Sequence, residues 1–316
     1  MKKSQHRLLL PFALFIAILA VSTASIFIRF AQTEAPSLTI AALRLTFASI
    51  MLAPVALTRY RPQLFALTRS EILLGVLSGL FLAIHFATWI SSLEFTTVAS
   101  SVVFVSTGPL WVALLSPIFL NERLSTSAFL GLGVALFGGI LIAFSGACAW
   151  DHGLTCSNLN QVLHGRAIWG DTLALGGAIA VTGYLIIGRH LRLKMPLLPY
   201  IFLVYSIAAI GLLIAMFVAG QTPIGYPPIT YLWLFLLALI PQIVGHSTYN
   251  WALHFLPAAL VAVATLGEPI GSATLAYFLL NERPSAIVII GGVLILIGIY
   301  FAARTQAAPE NKMLED

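Results

Sequence analysis

Charged residues are scarce in this chain of 316 residues: Asp, Glu, Lys and Arg make up 9% of the sequence, whereas 59% is hydrophobic. A soluble domain typically carries about 25% charged residues, so these charges are too few to cover a surface that faces water. Most of the chain is therefore expected to face lipid. The net charge of +5 does not indicate a nucleic-acid partner, because the basic residues lie in short segments between apolar runs rather than on one exposed face.

Motifs for catalysis and metal binding are also lacking. The sequence contains no P-loop, no His-Glu-x-x-His, no Gly-x-Ser-x-Gly and no pair of catalytic aspartates, so it predicts neither an enzyme nor a bound cofactor. Only two cysteines are present, Cys148 and Cys156, and no Cys/His cluster has zinc spacing; no metal site is expected. A disulfide between these cysteines and two free thiols are both compatible with the sequence.

Long apolar runs dominate what is present. A helix needs about 20 apolar residues to cross the hydrocarbon core of a bilayer, and only helices or closed barrels satisfy their backbone groups in lipid. The runs are continuous rather than alternating, which favours helices. Ten such helices are predicted, at approximately 8–28, 36–58, 71–92, 96–119, 126–145, 168–188, 197–219, 230–252, 257–280 and 285–302. The first is interpreted as an uncleaved helix, because it is too long for a usual signal peptide.

The distribution of basic residues predicts the orientation of these helices. With the N-terminus inside, twelve Lys and Arg residues fall on the inner side, and only Arg29, Arg166 and Arg283 fall on the outer side. Cytoplasmic loops carry such an excess of Lys and Arg. Both termini are therefore expected in the cytoplasm, and the loop that contains the cysteines is expected outside.

The sequence repeats itself at an offset of 160 residues. Segments 94–123 and 254–283 share ten of thirty positions, including Pro109 with Pro269, and both end in Asn-Glu-Arg. The predicted organisation is therefore a first five-helix unit at 1–145, a loop at 146–167, a second five-helix unit at 168–304 and a tail at 305–316. Since five is odd, the two units must enter the membrane in opposite senses. The predicted fold is all-α and integral to the membrane, with ten transmembrane helices as two inverted five-helix repeats.

At this point the sequence resembles the EamA-like branch of the drug/metabolite transporter superfamily. The resemblance rests on the two five-helix units, Arg44 in the second helix, the Asn-Glu-Arg triplets, and the segments 106–109, 266–269, 85–89 and 245–251. It covers nearly the whole chain except the loop at 146–168. It implies a multi-pass permease of a bacterial inner membrane for metabolites or amino-acid-like solutes, often an exporter, and it specifies no substrate.

Two charged residues are predicted near the middle of the bilayer. Arg44 lies about 12 Å and Glu268 about 17 Å into their helices, at 1.5 Å per residue. Such charges are costly in lipid and therefore indicate a functional site. Arg44 would bind a carboxylate or phosphate, and Glu268 would bind an amine or carry a proton. The alternative is that the two residues only hold the bundle together.

Two further pairs are candidates for substrate binding. His85 and Trp89 share one face of the third helix, and His246 and Asn250 share one face of the eighth. Histidine titrates near neutral pH, which suits a proton-linked carrier. Interhelical hydrogen bonding is the alternative role for these side chains. Pro109 and Pro269 interrupt helices in equivalent places and are candidate hinges, with static kinks as the alternative.

These patterns predict a secondary transporter that works by alternating access, not by ATP hydrolysis, and moves small metabolites, amino acids or drug-like solutes as an exporter or exchanger. A passive facilitator or channel for small polar solutes is the alternative. The expected partners are a small-molecule substrate and the lipid bilayer. Proton coupling and a homodimer are both compatible with the sequence, and neither is specified by it.

Overall fold

The structure is a computed structural model. It describes residues 3–119, 130–131, 133–134, 137–138, 141, 148–150, 154–156, 165–256 and 258–304. The predicted tail at 305–316, the first Asn-Glu-Arg triplet and most of the predicted helix at 126–145 lie outside these residues. The described residues of that helix, from 130 to 141, are helical.

Helices account for almost all of the described chain. In the first half they are α1 (Lys3–Ser22), α2 (Ala24–Ala31), α3 (Ser37–Thr58), α4 (Arg61–Phe65), α5 (Arg69–Ser92), α6 (Val98–Val105) and α7 (Gly108–Phe119). In the second half they are α8 (Arg166–Arg192), α9 (Leu197–Val218), α10 (Pro228–Leu237), a π-helix (Ala238–His246), α11 (Ser247–Ala252), α12 (Ala258–Ala264), α13 (Gly267–Leu279) and α14 (Ala286–Arg304).

Local sequence signals explain several helix starts. Thr68 forms a capping box with Glu71, because its hydroxyl accepts from the Glu71 N–H while the Glu71 carboxylate accepts from the Thr68 N–H. Thr97 caps α6 by accepting from the N–H of Ser100 at 3.2 Å. Pro36 and Pro196, which are 160 residues apart, precede α3 and α9 in the two halves. Equivalent helices therefore begin at equivalent residues.

Six helical segments of the described chain are long and apolar enough to cross a membrane: Leu9–Ala31, Ser37–Thr58, Arg69–Ser92, Arg166–Arg192, Leu197–Val218 and Pro228–Ala252. Several shorter apolar helices accompany them, among them α6, α7 and α14. The helical, multi-pass membrane character is thus confirmed.

The prediction was wrong about continuity in four segments. The segments predicted as single helices at 8–28, 96–119 and 257–280 are each divided, into α1 and α2, into α6 and α7, and into α12 and α13. The segment predicted as one helix at 230–252 changes from α to π geometry after Leu237 and back after His246. Proline explains part of this, because it lacks the N–H that a continuous helix needs and its ring clashes with the carbonyl four residues earlier.

The two halves pack against each other through long helices. α8 lies along α5 and α6, and α9 lies along α3 and α5. Gly79 of α5 permits one of these approaches, because a Cβ at this position would lie 2.9 Å from the Val204 carbonyl oxygen and 2.7 Å from Ile207. Small residues at such contacts allow helix backbones to come close together in membranes.

A short β-ribbon departs from the all-helical expectation. Cys148–Trp150 pairs antiparallel with Leu154–Cys156, and Cys148 stands directly opposite Cys156 in the register. The ribbon lies within the predicted loop between the halves. The backbone arrangement is compatible with a bridge between the cysteines, and both alternatives from the sequence, a disulfide and two free thiols, are retained.

Candidate functional site

A small cavity lies between the two halves of the protein. Its polar and aromatic lining comes from both halves: His85, Trp89, Ser106, Tyr184, His246, Tyr249, Thr265 and Glu268. The cavity offers about 60 Å³ of space to solvent, whereas ligand pockets usually measure about 300–1,000 Å³. In this conformation the cavity is too small for a metabolite, so binding one requires the surrounding helices to move apart.

Broken helices meet this cavity in both halves. The first break is at Ser106–Thr107 and the second is at Thr265–Leu266, so Ser106 and Leu266 occupy equivalent positions. At each break a threonine hydroxyl donates to the carbonyl three residues earlier, Thr107 to Phe104 and Thr265 to Ala262, both at 2.7 Å. Each carbonyl also accepts from the backbone N–H of the same threonine, at 3.1 Å for Phe104 and 3.2 Å for Ala262, which is the tight i to i+3 pattern found where an α-helix ends. Discontinuous helices at a repeat interface are typical of transporter binding sites.

Pro109 and Pro269 lie just after the breaks, in the first turns of α7 and α13. In that position a proline sacrifices no hydrogen bond, because the first N–H groups of a helix have no partner within it. Both prolines therefore mark where a new helical segment starts rather than a kink inside one helix. The hinge role stays a prediction.

Glu268 lines the cavity from the first turn of α13. Its backbone N–H donates to the Thr265 carbonyl at 2.9 Å, which holds the residue directly after the break. Among the described residues, no side chain forms a salt bridge with it. The carboxylate is therefore available to a ligand or a proton in the cavity.

His85 is held in one orientation by the second half. Its Nδ1 lies 2.9 Å from the Gly177 carbonyl oxygen on α8. Since a carbonyl oxygen can only accept, Nδ1 carries the proton, and in the neutral ring Nε2 is left as an acceptor. Trp89 stacks on the His85 ring, with centroids 5.9 Å apart and planes 18° from parallel. The predicted pair therefore forms one wall of the cavity.

His246 comes from the end of the π-helix and meets the first half. Its ring lies edge-on to Phe86, with centroids 5.3 Å apart, and 6.4 Å from the His85 ring. π-turns are rare and frequently occur at functional sites. The π-helix here brings both His246 and Gln242 toward the interface between the halves.

Arg44 lies behind the cavity rather than in its lining. It is 0% exposed, its Nε donates to Gln242 Oε1 at 2.9 Å, and its guanidinium carbon lies 4.0 Å from the centre of the Phe86 ring. Nη1 and Nη2 are buried and have no hydrogen-bond partner among the described residues. Arg44 thus combines one hydrogen bond with a cation–π contact.

Asn250 is also separate from the lining. Its amide nitrogen donates to the His246 carbonyl at 2.9 Å and to the Tyr205 hydroxyl at 3.3 Å, and it contacts the Tyr184 hydroxyl as well. The structure therefore brings His85, Trp89, His246 and Glu268 together around one cavity, while Arg44 and Asn250 stand behind it.

Sequence reasoning missed part of the lining. Tyr249 lies 160 residues after the candidate Trp89, so applying the repeat offset strictly would have found this position. Thr265 corresponds to Val105, an apolar residue that gave no such signal. The histidine pairs matched at 161 instead, which directed attention to Asn250. Tyr184 has no counterpart of this kind. Pro241 inside an apolar run was the available signal for the π-helix.

A salt bridge closes one end of the interface between the halves. Arg29 Nη2 forms a salt bridge with Glu282 Oε1 at 3.1 Å and donates to the Thr96 carbonyl at 2.9 Å. The other carboxylate oxygen of Glu282 accepts from the backbone N–H of Val98 at 2.8 Å.

We searched the described part of the chain for metal sites. It contains no group of three His, Cys, Asp or Glu side chains that could hold a metal ion.

An apolar helical bundle with broken helices around a central polar cavity defines the class of membrane transporters. The comparisons with known proteins agree. The EamA-like transporter family matches residues 9–144 and again residues 168–304, so the chain belongs to this family.

Two relatives from Archaeoglobus fulgidus, each named an uncharacterized transporter, are similar to the chain. One is 22% identical across 68% of this chain and 70% of its own length, and the other is 23% identical across 92% and 95%. A solved crystal structure with 19% identical residues covers 94% of this chain and 98% of its own, with a TM-score of 0.64. That likeness shows the shared fold. The predicted family is thereby confirmed, and with it the membrane transporter.

Proposed function

We propose that this protein is a secondary transporter that carries small metabolites, amino acids or drug-like solutes across a bacterial inner membrane by alternating access, as an exporter or exchanger. The observation that carries the proposal is the cavity between the halves, because both halves supply its lining and a broken helix from each half ends beside it. A site at such an interface can face one side of the membrane and then the other when the halves rock.

Glu268 is the proposed ligand-binding and proton-carrying group. A carboxylate beside the rings of Trp89, Tyr184 and Tyr249 suits an organic amine, because such rings attract a cation and cover an apolar body. His85 and Trp89 would then contact the solute from the first half, and His246 from the second. Arg44, through Gln242 and Phe86, would orient the π-helix and balance the charge of Glu268 at a distance.

Small movements at the helix breaks would open the cavity. Pro109 and Pro269 each lie shortly after a two-residue turn that separates two helical segments, so rotation there leaves the hydrogen bonds inside both segments intact. The salt bridge between Arg29 and Glu282 would have to separate in the state that is open at that end.

The test uses protein reconstituted in liposomes. Amino acids, nucleosides and amine drugs are first screened for thermal stabilisation of the purified protein, and each hit is then labelled and measured in counterflow. We expect uphill counterflow with the wild type, none with Glu268→Gln, and near-normal counterflow with Glu34→Gln, which removes an exposed carboxylate outside the cavity. Normal counterflow with Glu268→Gln at matched protein level would remove Glu268 from the site. Uptake without uphill exchange would identify a passive facilitator instead.

A further inference from the structure

A second cavity lies at the end of the bundle where α8 and α11 finish. It measures about 330 Å³ and is formed by the segments that follow these helices. Its lining includes three basic side chains, Arg192, Lys194 and His254, beside the aromatic rings of Trp251 and Phe255. No acidic side chain lines it. The cavity is separate from the central one and shares no lining residue with it.

Backbone contacts hold this cavity in shape. Arg192 is 4% exposed, donates from Nε to the Asn250 carbonyl at 3.0 Å, and also donates to the Met195 carbonyl. His254 Nδ1 lies 2.9 Å from the Arg192 carbonyl oxygen and is therefore the protonated nitrogen. Arg192 thus supports the wall, whereas Lys194 and His254 are exposed and can contact a ligand.

The equivalent segments of the first half have the opposite charge. At the offset of 160, Arg192, Lys194 and His254 correspond to Gln32, Glu34 and Glu94. Glu94 accepts hydrogen bonds from the N–H and the hydroxyl of Ser37 and so caps α3. The duplicated turns therefore do not require basic residues. The three basic residues of the second half are therefore explained by what surrounds the cavity.

Those surroundings are the basic end of the bundle. Gly75 and Gly79 of α5 face Leu203 and Ile207 of α9, so the two helices start side by side. The cavity, which lies just before α9, is therefore at the end of α5 that carries Arg69, with Arg59 and Arg61 on the preceding segment. Leu193 and Phe255 beside it are 54% and 40% exposed. A basic cavity with aromatic and apolar rims at the ends of membrane-spanning helices matches the boundary between lipid head groups and acyl chains.

We propose that this second cavity binds the phosphate head group of an anionic phospholipid from the adjacent leaflet. Lys194 donates to the phosphate, His254 donates to it from Nε2–H in the doubly protonated form of its ring, and Arg192 supplies positive charge from behind. Trp251 and Phe255 pack against the glycerol and the upper acyl chains. Inorganic phosphate shares the anionic chemistry but has no apolar part for the aromatic rim.

Native mass spectrometry of the full chain tests this proposal. Protein from detergent is mixed with equal amounts of phosphatidylglycerol and phosphatidylcholine, and the ratio of the two bound lipids is measured. We expect the wild type to prefer phosphatidylglycerol about fivefold or more. The double variant Lys194→Gln/His254→Gln should bind both lipids nearly equally. Glutamine at 254 can still donate to the Arg192 carbonyl, and an unchanged melting temperature in phosphatidylcholine will show that the variant is folded.

The matched control is Arg59→Gln/Arg61→Gln, which removes two exposed basic residues from the same end but outside the cavity. It should keep the wild-type preference. An equal loss in the control, or an unchanged ratio in the double variant, would overturn the proposal. A competition measurement with millimolar inorganic phosphate distinguishes the two ligands. If phosphate displaces phosphatidylglycerol completely, the site binds small anions and the lipid assignment is wrong.

Discussion

Glu282 and Arg29 form a salt bridge between residues 253 positions apart, with Oε1 and Nη2 separated by 3.1 Å. The same carboxylate accepts from the N–H of Val98 at the start of α6. Asn281, just before it, has a φ of 55°, a left-handed conformation that non-glycine residues adopt infrequently. One side chain therefore ties together the end of α2, the start of α6 and the segment after α13.

Loss of this salt bridge is expected to make the central cavity more accessible from the Arg29 end. Glu282→Gln removes the charge but keeps an amide oxygen that can accept from Val98. A partly exposed salt bridge contributes about 0.2–1 kcal/mol, so opening should rise by up to about fivefold. The measurement is the labelling rate of Ser106→Cys by an impermeant maleimide added to that side, in protein with Cys148 and Cys156 replaced by serine.

Glu34→Gln serves as the control for this labelling experiment, because Glu34 is an exposed carboxylate near α2 with no salt bridge to another described residue. Its labelling rate should equal that of the starting protein. If Glu282→Gln also labels at the starting rate, the salt bridge does not limit access at this end.

The contact between Arg44 and Gln242 predicts an unequal response to two substitutions. Gln242→Leu leaves the buried guanidinium without its described hydrogen bond and should lower stability by about 1.5–3 kcal/mol. Gln242→Glu keeps an acceptor oxygen and adds the opposite charge, so it should be markedly more stable than Gln242→Leu. Thermal melting in detergent measures both, and similar melting temperatures would show that the hydrogen bond contributes little.

The helix breaks predict an effect of proline on rate. Pro109→Ala supplies a backbone N–H and removes the ring that would clash with the carbonyl of Val105 in a continuous helix, so α6 and α7 can join more readily. We expect higher thermal stability and a lower maximal transport rate, with an unchanged concentration for half-maximal transport. A variant that transports at the wild-type rate would argue for a static break at this position.

Glycine packing predicts opposite effects at two helical positions. Gly79→Ala places a methyl group against the Val204 carbonyl and should destabilise the fold by about 1–3 kcal/mol. Gly176→Ala meets nothing within 4 Å and should stabilise α8 by up to about 1 kcal/mol, since alanine favours helix more than glycine does. The melting temperatures of the two variants measure these changes in stability. Equal values would contradict the packing described for Gly79 and Gly176.

The inverted repeat predicts that the two Asn-Glu-Arg triplets face opposite compartments. A reporter fused after residue 123 should be active in the cytoplasm, and one fused after residue 283 should be active outside. The N-terminus and the tail should both report from the cytoplasm. Reporters active in the same compartment would exclude alternating access between inverted halves.

Much of the fold follows from the sequence because span length and hydropathy are properties of consecutive residues. The predicted spans 36–58 and 71–92 agree closely with Ser37–Thr58 and Arg69–Ser92. Hydropathy did not reveal the breaks at Ser106–Thr107 and Thr265–Leu266, because one or two polar residues leave a run of more than 20 residues apolar enough to span a membrane. The same holds for the π-helix, whose run stays apolar and whose local signal is the interior Pro241.

The candidate site was likewise predicted only in part from the sequence. His85, Trp89, His246 and Glu268 were selected as polar or aromatic groups in apolar helices, and all four line one cavity. Arg44 and Asn250 satisfied the same criterion but stand behind it, bonded to Gln242 and to the tyrosine hydroxyls. Their helix positions alone could not distinguish the two groups, because rotation of a helix about its axis is decided by its neighbours.

By itself, the sequence determined that the protein spans a membrane, that its two halves are duplicated, and which polar residues must be accommodated among apolar helices. These follow because scarce charge excludes a water-facing surface and because copied segments keep matching residues at a constant offset. Only the tertiary structure decided where the helices break, which side chains face the cavity, and which residues close one end of the interface between the halves. These depend on contacts between residues as far apart as Arg29 and Glu282, and pairings at such separations are created by packing.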